Sequence, residues 1–160
     1  MAIPVPSVPG VTAYIVAAIQ NQITINEPLA TAATIGVYTG DEPTRDRPAD
    51  IIKTGHVIMP LEVTTFIGSG GPLWLNEDYE LEITVSNWDG DGSMQPPTGV
   101  ARAWQLMGYV TTAIRTDPSL GGLVDMAYPS HIEGGQAVWT ENPVGRQVDL
   151  VLTVKVSNLN

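Results

Sequence analysis

The sequence predicts an α+β fold in which one mixed, mostly antiparallel β-sheet packs against two main helices. The closing strand is the clearest evidence, because residues 147–156 alternate apolar and mainly polar side chains with the period of two of a half-buried strand. A second observation is an amphipathic helix over Val100–Arg115, whose apolar face needs a covering layer. At 160 residues, 43% of them hydrophobic, the chain is long enough for one ordinary core, so a single domain over residues 1–160 is expected.

Charge and composition restrict the classes of partner. Seven basic and 17 acidic residues give a formal net charge of -10, which disfavours a nucleic-acid-binding protein because such proteins need clustered Lys and Arg. A negative potential would still suit a protein whose central channel lets DNA pass without binding it. The absence of cysteine excludes disulfides and Cys-based metal sites. Neither a signal peptide nor an apolar span of about 18–20 residues is visible, so a soluble protein without a membrane partner is expected.

The N-terminal region predicts a Pro-rich extended lead-in followed by a helix. Ser7 is the expected N-cap, and Pro9 then falls in the first turn, where its missing N–H is not needed. The helix is predicted over Pro9–Gln22, with an apolar stripe formed by Val11, Tyr14, Ile15, Ala18, Ile19 and Gln22 or Ile23.

A first strand and a charged segment follow this helix. Alternating Ile35, Val37 and Thr39 predict a strand within Thr31–Gly40. The segment Asp41–Thr54 shows no apolar period and contains seven charged residues and two prolines, which predicts a long surface loop. Because loops of this length are uncommon in compact domains, an assembly contact and a solvated connection are equally favoured.

The middle of the chain predicts an interrupted strand and a regular one. His56–Ile67 is rich in strand-forming residues but contains Pro60, which predicts an edge strand or two short strands broken there. Gly68–Pro72 is expected to form a flexible tip. Tyr79–Trp88 predicts a regular strand with Leu81, Ile83 and Val85 inward and with Glu80, Glu82, Thr84 and Ser86 on a solvated face.

The segment Asp89–Ser93 partly matches a calcium-binding loop, because alternating Asp and Ser oxygens can converge on a hard cation. It lacks the further oxygen ligands and the bidentate Glu of the full motif. A turn in which Asp side chains cap local backbone is therefore favoured, and no metal or other cofactor is predicted.

The second helix has the strongest apolar stripe of the chain. Thr98 is its expected N-cap, and Trp104 and Met107 are predicted to lie in the core. Gly108 costs about 1 kcal/mol relative to Ala inside a helix, which predicts close approach of another backbone from a sheet or another subunit. Pro118 ends the helix at Asp117.

The last third of the chain predicts strands separated by glycine-rich turns. Gly121-Gly122 allows the chain to reverse into a strand over Leu123–Ala127. Gly134-Gly135 precedes a further strand at residues 136–139. The turn over Glu141–Arg146 then joins this strand to the closing strand as a hairpin.

No catalytic chemistry is indicated, so the protein is not expected to be an enzyme. His56 and His131 lie in stretches without a recognisable partner pattern, and no hydrolase, zinc-protease, nucleotide-binding or dinucleotide-binding motif is present. Glu80 and Glu82 alternate along a strand, which is typical of a solvated face rather than of a glycosidase pair.

The order of the elements resembles that of the tail terminator family of long-tailed bacteriophages, whose members complete the tail and join it to the head. In that family a strand, a helix ending in an Asp-Pro-x-Leu-Gly-Gly-like corner and a C-terminal strand form a small α+β domain. The likeness covers the first half of the chain by element order and the second half by Leu81–Val85, Val100–Arg115, Asp117–Gly122 and Gly145–Val156.

This resemblance implies a structural virion protein that is assembled in the host cytoplasm and lies at the head-proximal end of the tail. It implies a homo-oligomer, commonly a hexameric ring, that caps the phage tail tube protein, ends tube polymerisation and offers a surface to the head-tail connector proteins. DNA passes through the lumen of such a ring without sequence-specific binding. A ring closes by heterologous contacts, in which one patch meets a different patch on the next subunit.

Charge and loop length suggest which surfaces take part in assembly. We expect the Asp41–Lys53 loop and the Gly68–Trp74 tip to bridge neighbours and acidic faces to line the lumen. Candidate contacts with another subunit or a partner are Asp46, Arg47, Asp50, Trp74 and Arg146. Two other functions stay open: another tail-tube or neck protein of related fold, and a monomeric calcium-binding or ligand-binding module built around Asp89–Ser93.

Overall fold

Two helices and a six-stranded sheet form two layers in the computed structural model, which describes residues 7–43, 45–59, 62–64, 74–89, 96–139 and 145–159. Neither helix within these ranges has the length and hydrophobicity of a membrane span. In chain order the elements are α1 (Val8–Asn26), β1 (Ile35–Thr39), β2 (Asp50–Ile58), β3 (Glu62–Thr64), β4 (Trp74–Asp89), α2 (Pro96–Thr116), β5 (Met126–Trp139) and β6 (Gly145–Leu159).

The strands lie in the order β1-β2-β4-β6-β5, and the short β3 pairs with the first residues of β4. β1 and β2 are parallel, whereas every other described pair is antiparallel. The predicted α+β fold, with a mixed and mostly antiparallel sheet packed against two main helices, is therefore confirmed.

The core lies between the helices and one face of the sheet. The predicted inward residues of β4 and β6 are all buried, as the alternation of both strands indicates. α1 contributes a stripe at helical spacing, and α2 covers β4, β5 and β6. The buried residues of the two helices include Val11, Ile15, Ile19, Ile23, Ala103, Leu106, Met107, Val110, Ala113 and Ile114.

One of the two predicted helix N-caps is confirmed and the other is wrong. Ser7 is the N-cap residue of α1, and its carbonyl accepts the first helical hydrogen bond from Val11, but its hydroxyl bonds the Tyr79 hydroxyl at 3.0 Å instead of capping the helix. Thr98 lies inside α2, which begins two residues earlier at Pro96. Proline has a backbone angle suited to the first helical turn, so the Pro96-Pro97 pair extends the helix past the expected cap.

The predicted surface loop over Asp41–Thr54 is too long, because β2 begins at Asp50. Ile51 and Ile52 are both fully buried although they point to opposite faces of the sheet. A strand that is buried on both faces shows no alternation of apolar and polar residues, so its sequence offers no period of two.

A β-bulge in β2 changes which residues face the helices. Lys53 pairs with Thr84, but the next paired residue, His56, is opposite Glu82, so β2 contains one extra residue here. Gly55 adopts φ 116°, a backbone conformation that other residues rarely adopt, and a Cβ there would lie 3.1 Å from the Gly40 nitrogen. After the bulge Val57 faces the helices, and Ile58 faces the opposite side of the sheet, which the helices leave open.

β5 is one strand where the sequence predicts two. It begins at Met126 rather than Leu123, continues through Gly134 and Gly135, and pairs with β6 as the expected hairpin. The predicted break at Pro60 separates β2 from β3. The lead-in, Pro60 itself, the Gly68–Pro72 tip and the interior of the Asp89–Ser93 and Glu141–Arg146 segments lie outside the described residues.

We predict that Leu152→Ala lowers the free energy of unfolding by about 2–5 kcal/mol, because this fully buried side chain lies in the central strand β6 and its removal leaves a cavity. Urea unfolding followed by circular dichroism measures the loss. Val151→Ala is the matched control on the opposite face and should cost about 1 kcal/mol or less. Equal losses in the two variants would contradict the orientation of β6.

Candidate assembly interface

The connection over residues 40–49 holds two of the predicted contact residues. Asp46 is exposed and adopts φ 54°, a left-handed conformation that Asp tolerates better than most residues. Arg47 lies 3.6 Å from the Glu42 carboxylate, which also pairs with Lys53 of β2 at 3.0 Å. A backbone hydrogen bond and then Lys53 lower the pKa of Glu42. These ion pairs hold the connection against the sheet face that faces away from the helices.

Asp50 is buried and takes part in a polar network within the subunit. Its carboxylate accepts hydrogen bonds from the Asn87 side chain at 2.6 Å and from Arg102 Nε at 3.0 Å. Arg102 also donates two hydrogen bonds to the Glu27 carboxylate, at 2.8 and 2.9 Å. The network therefore joins the C-terminal end of α1 to β2, β4 and α2.

The electrostatics of this network stabilise its charged forms. Burial alone would lower the pKa of Arg102, but hydrogen bonds with Glu27 and the charge of Asp50 outweigh burial and raise it. The hydrogen bonds from Arg102 lower the pKa of Glu27. Burial, followed by a hydrogen bond to Glu27, raises the pKa of Tyr109. Sequence reasoning missed Arg102 because its partners lie 75 and 52 residues away in the chain.

The remaining predicted contact residues lie at opposite ends of the sheet. Arg146 is half-buried near the start of β6, opposite Asp89 and Val138, and so lies at the same end as Asp50. Trp74 begins β4, where its backbone pairs with Thr64. Trp88 follows Trp74 by fourteen positions along β4, which is about 45 Å of strand. The structure thus places Asp50 and Arg146 at one end of the sheet and Trp74 at the other, while Arg47 lies with Glu42 beside Lys53.

The sheet face opposite the helices is open over much of the described chain. His56, Glu82, Thr153 and His131 form one row across four strands. His56 Nε2 lies 3.7 Å from Glu82, and His131 Nε2 lies 3.3 Å from the Thr153 hydroxyl. No group of three His, Asp or Glu side chains within the described ranges is arranged to hold a metal ion.

A groove of about 490 Å³ lies at one end of this open face. The next row of the sheet, Ile58, Glu80, Lys155 and Tyr128, forms much of its lining. Ile58 and Tyr128 are 51% and 46% exposed, and the neighbouring Met126 is 53% exposed. Large exposed apolar residues grouped around a groove are typical of interaction surfaces. The bulge in β2 hides this surface from sequence analysis, because it reverses the alternation before Ile58.

The predicted close contact at Gly108 does not occur within the described chain. A Cβ at this position would meet nothing within 4 Å. The prediction that Trp104 lies in the core is wrong, because its side chain is 49% exposed. Leu106 and Ala113 are buried instead, so the buried face of α2 is rotated away from Trp104.

The corner after α2 is held by a single carboxylate. Asp117 accepts hydrogen bonds from the Tyr14 hydroxyl at 2.9 Å, from the Ser119 hydroxyl at 2.6 Å and from the Gly121 N–H at 2.7 Å. These bonds, with the one from Ser119 foremost, lower the pKa of Asp117 to about 2. Leu120 is fully buried at φ 48°, and the corner thereby attaches the end of α2 to α1.

Comparisons with known proteins place the chain in no family. No family model matches the sequence, and no curated protein matches it. Among solved structures, the chain is similar to a chain from the virion of a native gene transfer agent particle. That likeness has 12% sequence identity and a TM-score of 0.34, and it covers 89% of this chain and 94% of the other. At these values neither the fold nor the role of one chain follows from the other.

We predict that Arg102→Met lowers the free energy of unfolding by about 1–3 kcal/mol, since the half-buried Glu27 and the buried Asp50 carboxylates lose their cation while the volume is kept. Chemical denaturation at neutral pH measures the change. Arg45→Met removes an exposed cation from the connection and should shift stability by about 0.5 kcal/mol or less. A neutral effect of the Arg102 change would contradict a stabilising role for the network.

We predict that Asp117→Asn lowers the melting temperature only where Asp117 is ionised. Its pKa is depressed in the folded state, so its stabilisation is full above its ordinary value of 3.8 and is lost as pH falls through about 2. Thermal unfolding from pH 2 to 7 should show a constant gap to the unsubstituted protein above about pH 4 that closes toward pH 2. Asp41→Asn controls for the loss of one exposed charge, and a gap that persists unchanged at pH 2 would contradict the assignment.

Proposed function

We propose that this chain is a structural virion protein of a phage-like particle and that it acts as a tail terminator without catalytic activity. In this role it forms a ring on the head-proximal end of the tail tube, stops tube polymerisation and presents a surface to head-tail connector proteins. The proposal rests first on the sequence resemblance, whose segments form part of β4, α2, the Asp117 corner and β6.

The observation that supports the proposal best is the one-sided covering of the sheet. Both helices pack on one face, while the open face retains an exposed groove and the strand order leaves two unlike edges, β1 and β5. Among the described elements β5 contacts only β6 and α2. A subunit whose free surfaces differ from one another is suited to head-to-tail contacts, which close a ring when the rotation between subunits is an integral fraction of a turn.

The net charge fits the passage of DNA through such a ring. A formal charge of -10 repels phosphate groups, so a lumen built from this chain would not retain the duplex.

Electron microscopy tests the proposed function. Negative-stain images of the purified protein should show closed rings, commonly with six subunits, and mixing it with isolated tail tubes should place a ring at one tube end. Particles made without the protein should have tails of uncontrolled length. Long stacked tubes of the protein alone would indicate a tail-tube protein instead, and a monomer that does not bind tubes would overturn the proposal.

The same assay tests the connection over residues 40–49 as a subunit contact. Replacing both Asp46 and Arg47 with Ser should weaken ring formation if this connection bridges neighbours, whereas Arg45→Ser alone is the control within the same connection. Unchanged rings in the Asp46 and Arg47 variant would remove this connection from the interface.

A further inference from the structure

One side of α2 is exposed in the described subunit. Five residues lie along it at spacings of three and four, and we name them the outer stripe: Ala101, Trp104, Gly108, Thr112 and Arg115. Within this stripe Trp104 is the only large apolar residue, Gly108 and Thr112 are small, and Arg115 forms no ion pair within the described ranges.

The groove on the open face has complementary chemistry. Ile58 and Tyr128 provide apolar surface at its two sides. Asp78 and Glu80 add two carboxylates that form no ion pair in the part of the chain that the structure describes, and Lys155 of β6, which lies opposite Glu80, adds one cation to the groove. Tyr, Trp, Met and Arg are enriched in protein interfaces, and the groove and the outer stripe together supply all four when the adjacent Met126 is included.

We propose that the groove of one subunit receives the outer stripe of α2 from a second copy of this chain. Trp104 then packs on Tyr128 at the β5 side of the groove, and Arg115 pairs with the carboxylates of Asp78 and Glu80 on β4. The inference rests on the proposed ring, for which it names the contact between neighbours.

Dimensions support this fit. Trp104 and Arg115 are eleven residues apart, which is about 16 Å along a helix. From Tyr128 on β5 to the carboxylates on β4 the groove spans two strand spacings, or about 10 Å, and the long Arg115 side chain covers the difference. Gly108 lies between the two anchoring side chains, where the absence of a Cβ allows the helix backbone to approach the sheet.

The position of the two surfaces suits a ring. The groove lies on the open side of the sheet, and the outer stripe lies on α2, which covers the other side. One subunit therefore offers the two halves of the contact to two different neighbours. Such a contact is heterologous and repeats around a ring, whereas contact between two outer stripes would be isologous and would stop at a dimer.

Cross-linking provides the first test, since the natural chain has no cysteine. A chain with both Gly108→Cys and Ser157→Cys, treated with a short bismaleimide, should give a ladder of linked oligomers that ends at the ring size. Ser157 lines the groove, and both positions are exposed. Leu29→Cys with Ser157→Cys is the control, because Leu29 is 94% exposed on another surface, and it should stay unlinked.

The outcomes of this test are distinct. Dimers formed by the Gly108→Cys chain alone would indicate contact between two outer stripes and overturn the proposal. Rings seen by microscopy without any ladder would overturn this contact but leave the proposed ring intact. Failure of the natural protein to assemble at any concentration would overturn both.

Charge exchange tests the ionic part of the contact. We expect Glu80→Arg and Arg115→Glu each to raise the dissociation constant of self-association about tenfold or more, and their combination in one chain to restore it to within about threefold. Sedimentation velocity measures association, and thermal unfolding verifies that each variant folds. Glu133→Arg, on the same sheet face but outside the groove, should leave association unchanged. If the combined variant self-associates as weakly as the added effects of the two single changes predict, the pairing of Arg115 with Glu80 is contradicted.

Discussion

The antiparallel pairing of β4 with β6 is the constraint on which the rest of the molecule depends. The two strands pair without interruption from Asn76 opposite Leu159 to Asp89 opposite Arg146. Their inward residues form the sheet side of the core, so a slip of one residue would turn every one of them to the open face. Because both helices pack on this one face, the register of β4 and β6 also decides which residues remain available to other molecules.

Polar contacts hold the helices in place at both ends, at one end to the sheet and at the other to each other, in addition to the core between helices and sheet. Arg102 joins the end of α1 to the start of α2, β2 and β4, and Asp117 joins the end of α2 to Tyr14 near the start of α1. Hydrogen bonds with charged groups depend on direction, so they fix the angle of each helix more closely than apolar packing does. The exposed sides of α2 and of the sheet consequently have defined positions relative to each other, which a repeating contact between subunits requires.

The parts of this fold that sequence analysis predicts are those with a strong local period. The inward residues from Val148 to Val156 and the buried face of α1 follow from spacing alone. Ile51 and Ile52 do not, because a strand buried on both faces has no alternation, and Ile58 does not, because the bulge at Gly55 reverses the pattern. The partners of Arg102 are brought together only by the tertiary fold. The spacing and type of Trp104 predict it in the core, but Leu106 and Ala113 rotate the buried face of α2 away from it, so the outer stripe does not follow from the sequence. The groove does not follow either, because it depends on the bulge in β2.

The scarcity of basic residues makes the placement of each one informative. The chain has only seven, and Arg47, Lys53 and Arg102 form ion pairs within the described part of the subunit. Two copies that each have a charge of -10 repel at long range, but salt screens that repulsion beyond about 8 Å at physiological ionic strength. Close pairs must therefore provide the electrostatic attraction, and only a few cations are free to form them. Arg115, which forms no ion pair within the described part of the chain, lies on the same side of α2 as the exposed Trp104, so one helix face combines a cation with the kind of apolar anchor that gives interfaces most of their affinity.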